Sequence, residues 1–137
     1  MGEPSLALQK AIGVRLIASG AVTALVPADA IVDRSGAPEL DRCIMIGEAQ
    51  TVHADRYRRF YDEAFASLHI WVKEPGLLTA KKIGGAIIDT LIEKPFDFDG
   101  YRCTGMMNGG SRYMRDPHGV YSHGIVTIRA IVRERAA

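Results

Sequence analysis

From residue 63 to residue 73 the chain alternates with a period of two. Ala64, Ala66, Leu68, Ile70 and Val72 fall on one side; Ser67, His69, Trp71 and Lys73 fall on the other. Side chains alternate across a strand, so this run predicts a β-strand with one face in a core. Such a strand leaves backbone N–H and C=O groups to be paired on both edges. It therefore commits the chain to a sheet of several strands, with a second layer over the apolar face. The same alternation returns near the end: Val126, Ile128, Ala130 and Val132 share one side, and Ile125, Thr127, Arg129, Ile131 and Arg133 the other. That second side is half apolar. A strand covering only its own core does not need this, and the pattern predicts contact with another subunit.

The remaining elements follow from periodicity and punctuation. Leu8, Ile12 and Leu16, with Ala11 beside them, form one apolar stripe and predict a helix over residues 5–19. Pro4 or Ser5 starts it, Gly20 ends it in a left-handed conformation, and residues 23–26 add one more turn before Pro27. Short strands are expected at residues 31–34 and 43–52, separated by a polar loop holding Gly36 and Pro38. After Pro75 and Gly76, the spacing of Ala80, Ile83, Ile87 and Leu91 predicts a second helix over residues 77–93, ended by Pro95. Gly84 and Gly85 inside it each cost about 1 kcal/mol against alanine. A backbone packed closely on the sheet would explain them, and a helix broken at Gly84 is the competing reading. The chain closes with a long β-hairpin, residues 101–115 and 119–133, turning at Asp116, Pro117, His118 and Gly119. The expectation is a single α+β domain over residues 1–137: an antiparallel sheet of about four strands, two helices packed on it, and a C-terminal β-hairpin.

Charge and composition narrow the function. The 137 residues carry a net charge of +1, and no apolar run approaches a membrane span. Glu3 and Pro4 do not suit a signal peptide, so a soluble protein, intracellular when made, is expected. Residues 101–137 hold six arginines and two acids, a modestly basic end that falls well short of a typical nucleic-acid domain. Cys43 and Cys103 lack Cys-x-x-Cys or histidine partners at metal spacing and read as buried thiols.

No catalytic constellation emerges. There is no phosphate-binding loop: the last lysine, Lys94, precedes the glycines at 105, 109 and 110. Neither G-x-G-x-x-G nor G-x-S-x-G is present. His118 and His123 flank the hairpin turn and could approach each other, but a metal would need further ligands, and Asp116 is explained by the turn. A Cys103–histidine nucleophile pair conflicts with a buried strand thiol. The reading is therefore no enzyme, no cofactor and no metal. The run from His53 to Tyr61 is different. Arg56, Tyr57, Arg58, Arg59 and Tyr61 concentrate arginine and tyrosine, which dominate interface hot spots. A protein contact, a solvated connection and a nucleic-acid contact all remain open there.

Several stretches occur together in order: Leu8-Gln9-Lys10-Ala11-Ile12, Gly47-Glu48-Ala49-Gln50-Thr51, Leu68-His69-Ile70-Trp71-Val72, Glu74-Pro75-Gly76, Ala80-Lys81-Lys82-Ile83, Arg115-Asp116-Pro117-His118-Gly119 and His123-Gly124-Ile125-Val126. This ordered set resembles the tail terminator, or tail-completion, family of long-tailed phages, prophages and gene transfer agents. One departure is His118, where the family carries an acidic residue or asparagine. The resemblance implies a non-enzymatic α+β protomer located in the tail or neck of a virion or phage-like particle. It implies a homohexameric ring that caps the tail tube, ends its growth and docks the head-completion (stopper) protein, with at most non-specific proximity to DNA in the lumen and no membrane. In that setting Ile125, Arg129 and Ile131 are expected at subunit contacts, and Arg56, Tyr57, Arg58, Arg59 and Tyr61 at a tube or head-side contact. The alternatives are another head–tail connector of the neck and, from a different class, a small α+β enzyme or ligand-binding domain.

Overall fold

The first helix, α1 (Pro4–Ala18), opens with proline, whose missing N–H is one the first turn leaves unpaired anyway. Glu3 caps it by accepting from the Ser5 N–H. The computed structural model to which these bounds belong describes residues 2–33, 40–53, 61–92, 96–98 and 100–134. Gly20 does not end the helix in a left-handed conformation, as the sequence suggested. Ser19 ends it by turning extended (φ −84°, ψ 118°). The Ser19 hydroxyl then accepts from the Val22 N–H and starts a single further turn, α2 (Gly20–Thr23). A capping serine thus outcompetes the glycine signal.

After a 3-10 turn (Ala28–Ala30) come β1 (Ile31–Val32), β2 (Arg42–His53) and β3 (Asp62–Val72). Helix α3 (Leu78–Ile92) follows, then β4 (Tyr101–Arg115) and β5 (Ser122–Glu134). The fold is α+β, but the sheet has five strands rather than about four, in the order β1-β2-β3-β5-β4. It is mixed: β1 runs parallel to β2, and every other pair is antiparallel. β1 is shorter than the sequence implied, and Arg34 lies outside the described residues. The β4–β5 hairpin turns where expected. The Gly119 N–H donates to the Asp116 carbonyl at 2.8 Å, and Gly119 sits at φ +75°, which glycine tolerates without strain. The return strand resumes at Ser122 rather than at Gly119.

Helices α1 and α3 cover one face of the sheet only. The core lies between, with Leu8, Ile12 and Leu16 from α1 and Ile83, Ile87 and Leu91 from α3. They meet Leu68 and Ile70 of β3 and Val126, Ile128 and Val132 of β5. α3 is continuous through Gly84 and Gly85. The close approach at Gly84 is to a side chain rather than to the sheet backbone: a Cβ there would lie 1.9 Å from the Tyr113 hydroxyl of β4. Among the described residues, no helix is long and apolar enough to cross a membrane.

Candidate interaction face

Register fixes which side chains share the uncovered face. In an antiparallel pair, directly opposed residues point the same way. β3 aligns Glu63, Phe65, Ser67, His69 and Trp71 with Ile131, Arg129, Thr127, Ile125 and His123 of β5. β4 adds Gly105, Met107, Arg112 and Met114 opposite Ile131, Arg129, Ile125 and His123. All five β5 residues are half-buried, while their inward neighbours Val126, Ile128, Ala130 and Val132 are fully buried. The structure therefore brings Ile125, Arg129 and Ile131 onto one open sheet face, on the side away from the helices. Arg129 pairs with Glu63 across the strands, and its other guanidinium nitrogen lies 3.9 Å from Met107 Sδ. An arginine held this way is fixed in orientation, which suits a flat contact.

Of the other expected contact residues, Arg56, Tyr57, Arg58 and Arg59 lie outside the described residues. Tyr61 is exposed just before β3. His53 and Asp62, the residues opposed at the end of the β2–β3 pair, join their side chains at 2.6 Å.

The β4 edge of the sheet is less inviting than its face. β4 carries two register shifts, at Cys103/Gly105 and Asn108/Gly110. At the second, Gly110 takes φ +128°, and its N–H donates to the Asn108 side chain. Bulges and exposed arginines on an edge strand oppose pairing with another strand.

Two features escaped the sequence reading. One is a cluster at one end of the open face. His123 stacks on Trp71 with ring centroids 3.8 Å apart and planes within 9°. His69 Nδ1 lies 2.9 Å from His123 Nε2, and the Glu48 carboxylate lies 2.6 Å from His69 Nε2. That hydrogen bond holds the Glu48 carboxyl below its usual range. Burial, and then the charge of His69, hold the His123 imidazole below its usual value, while Asp116 and Glu48 pull it back up. His123 thus partners His69, and His118 stands exposed in the turn. Alternation alone puts His69 and His123 on the outer side of their strands. Only the register brings them together.

The other feature is a second apolar stripe on α1. Leu6, Val14 and Ile17 are 48%, 69% and 47% exposed, on a helix already apolar toward the core. Beside them Ala7, Ala11, Val14, Phe96 and Phe98 line a groove of about 500 Å³, with the Arg15 guanidinium 3.9 Å over the Phe96 ring. The spacing of 6, 14 and 17 was readable as a stripe, but the stronger core stripe masked it.

Neither cysteine is poised for chemistry. Both are buried, and burial pushes the Cys103 thiol up, away from the reactive thiolate, while the thiol donates to the Gly105 carbonyl. Among the described residues, no group of three or more histidine, cysteine or acidic side chains could hold a metal.

Residues 10–133 match the family model described as tail completion protein gp17. No curated protein matches the sequence. Two solved structures are similar. One is a chain of the virion of a native gene transfer agent particle, with TM-score 0.79 and 20% identity, covering 96% of this chain and 99% of that one. The other is the gp17 protein of bacteriophage SPP1, with TM-score 0.63 and 21% identity, covering 97% of this chain and 94% of that one.

Proposed function

Because the chain belongs to the tail completion protein gp17 family, we propose that it finishes the tail of a phage or phage-like particle as a structural ring. Six copies cap the tail tube, end its growth and present a docking face to the head-completion protein. DNA passing through the ring is met without base-specific contacts.

The observation that carries this reading is the family match over residues 10–133, which runs from within α1 through α3 and into the last turn-back strand, β5. The surface is consistent with it. A head-to-tail ring needs two unlike patches on each subunit, and closure of the rotation limits the copy number. The open sheet face and the outer stripe of α1 are two unlike apolar patches on opposite layers of the fold. The edge strand is blunted, which favours contact through faces. A catalytic reading gains nothing from Cys103, whose thiol is shifted in the direction that disarms it. The segment from Arg56 to Tyr61 is assigned to the tube or head-side contact on its concentration of arginine and tyrosine.

Two measurements test the role. Light scattering over a concentration series should give one discrete mass of about 89 kDa, six times the chain's 14.9 kDa. A monomer both alone and in the presence of purified tail tubes would overturn the ring. Deleting the protein from its particle should give over-long tubes. Tubes of normal length that fail to join heads would instead make it a stopper.

A further inference from the structure

Three side chains from three strands converge on the open face, and tail completion gives no account of them. Glu48 stands at the β2 bulge, His69 in β3 and His123 near the start of β5. The bulge makes room for the contact. A Cβ at Gly47 would lie 2.7 Å from His69 Cδ2, so residue 47 lets the ring lie against β2.

Counting protons defines what this chain of contacts does. The Glu48 carboxylate, 2.6 Å away, requires the proton on His69 Nε2. A neutral His69 then offers a lone pair at Nδ1 and accepts from the His123 Nε2–H at 2.9 Å. Adding one proton to His69 turns both of its nitrogens into donors. His123 keeps the contact by moving its own proton to Nδ1 and accepting at Nε2. Both states leave every facing nitrogen paired. A second added proton sets N–H against N–H and two like charges on rings whose centroids are 5.1 Å apart. No tautomer repairs that state.

We propose that Glu48, His69 and His123 form a one-proton latch that ties β2, β3 and β5 together across the open face and breaks its His69–His123 link when a second proton arrives. The groups around it fit this sequence of events. On β2 the carboxylate is Glu48, which compensates the first charge. On β4 uncharged Met114 stands opposite His123, and the next side chain on that face is Arg112, opposite Ile125. Just past the end of β3, Lys73 is exposed. Asp116 in the turn and Glu48 favour the second proton, but burial and His69 outweigh them at His123. Tyr121 meets the Trp71 ring edge-on and leaves the stacking face to His123.

Trp71 is the only tryptophan, so its fluorescence reports the ring stacked on it. The experiment is a titration of the dilute chain from mildly alkaline pH to about pH 4. Trp71 emission is followed together with the imidazole Cε1–H resonances. The wild type should take up its two protons in separate steps, with the emission change confined to the second. His69→Gln removes the like charge, so protonation of His123 should move to higher pH. His123→Gln should abolish the emission step. An unmoved step in His69→Gln, or a step that survives in His123→Gln, would overturn the latch. Should His69→Gln fail to fold by circular dichroism, Glu48→Gln decides. The Glu48 charge raises the His123 imidazole, so its loss should move the emission step to lower pH, and an unmoved step rejects the proposal. None of these readings depends on ring formation.

Discussion

Gly84 and Gly85 are neighbours in α3 with opposite surroundings. A Cβ on Gly85 meets nothing within 4 Å, whereas one on Gly84 would overlap the Tyr113 hydroxyl. Tyr113 also presses on β5, where a Cβ at Gly124 would sit 3.0 Å from its ring. One tyrosine thus lies between two glycines, one on the helix and one on the sheet. Gly85→Ala should stabilise the protein by about 0.5–1 kcal/mol through helix propensity and a stiffer unfolded chain. Gly84→Ala should destabilise it by about 1–3 kcal/mol through overpacking. Urea denaturation separates the two. Adding Tyr113→Phe to Gly84→Ala should recover part of the loss, because the nearest clashing atom is the hydroxyl oxygen. No recovery would place the strain elsewhere. The cost of the glycine pair was legible in the sequence. Its cause was not, since the slot exists only once β4 is brought against α3.

The long elements were readable because their signal is repeated along the chain, and short ones were not because a single residue decides them. β4 runs from Tyr101 to Arg115 as the hairpin turn indicated, and β3 differs from its expected span by one residue at each end. The end of α1 rests on Ser19 alone. Its hydroxyl accepts from Val22 N–H at 3.3 Å and lies 2.9 Å from the Thr90 hydroxyl of α3. Serine therefore acts as the cap of α2 and as a tie between helices, neither of which a glycine one residue later suggests. Ser19→Ala should cost about 1 kcal/mol, the usual loss of an N-cap. The midpoint of urea unfolding should fall while its slope stays unchanged. A variant as stable as the wild type would mean that the α1–α2 break is held by packing alone.

At the scale of the molecule, the half-apolar outer side of β5 was legible from its alternation, whereas the stripe of Leu6, Val14 and Ile17 was masked by the core stripe of the same helix. If these two surfaces meet each other in the ring, they must do so head to tail, and that arrangement makes a demanding prediction. Ile131→Asp places a carboxylate on the sheet face, and Val14→Glu places one on the helix face. Ile131 is only half-buried and Val14 is exposed, so each chain should still fold. Each variant alone lacks one of the two patches that every ring contact needs, and light scattering should find it at 14.9 kDa. Mixed, they retain one intact contact between them: the helix face of Ile131→Asp against the sheet face of Val14→Glu. The mixture should therefore stop at a dimer of about 30 kDa, twice the chain mass, with no larger species. A mixture that stays monomeric would show that the two faces are not each other's partners. Rings formed by either variant alone would remove that face from the contact.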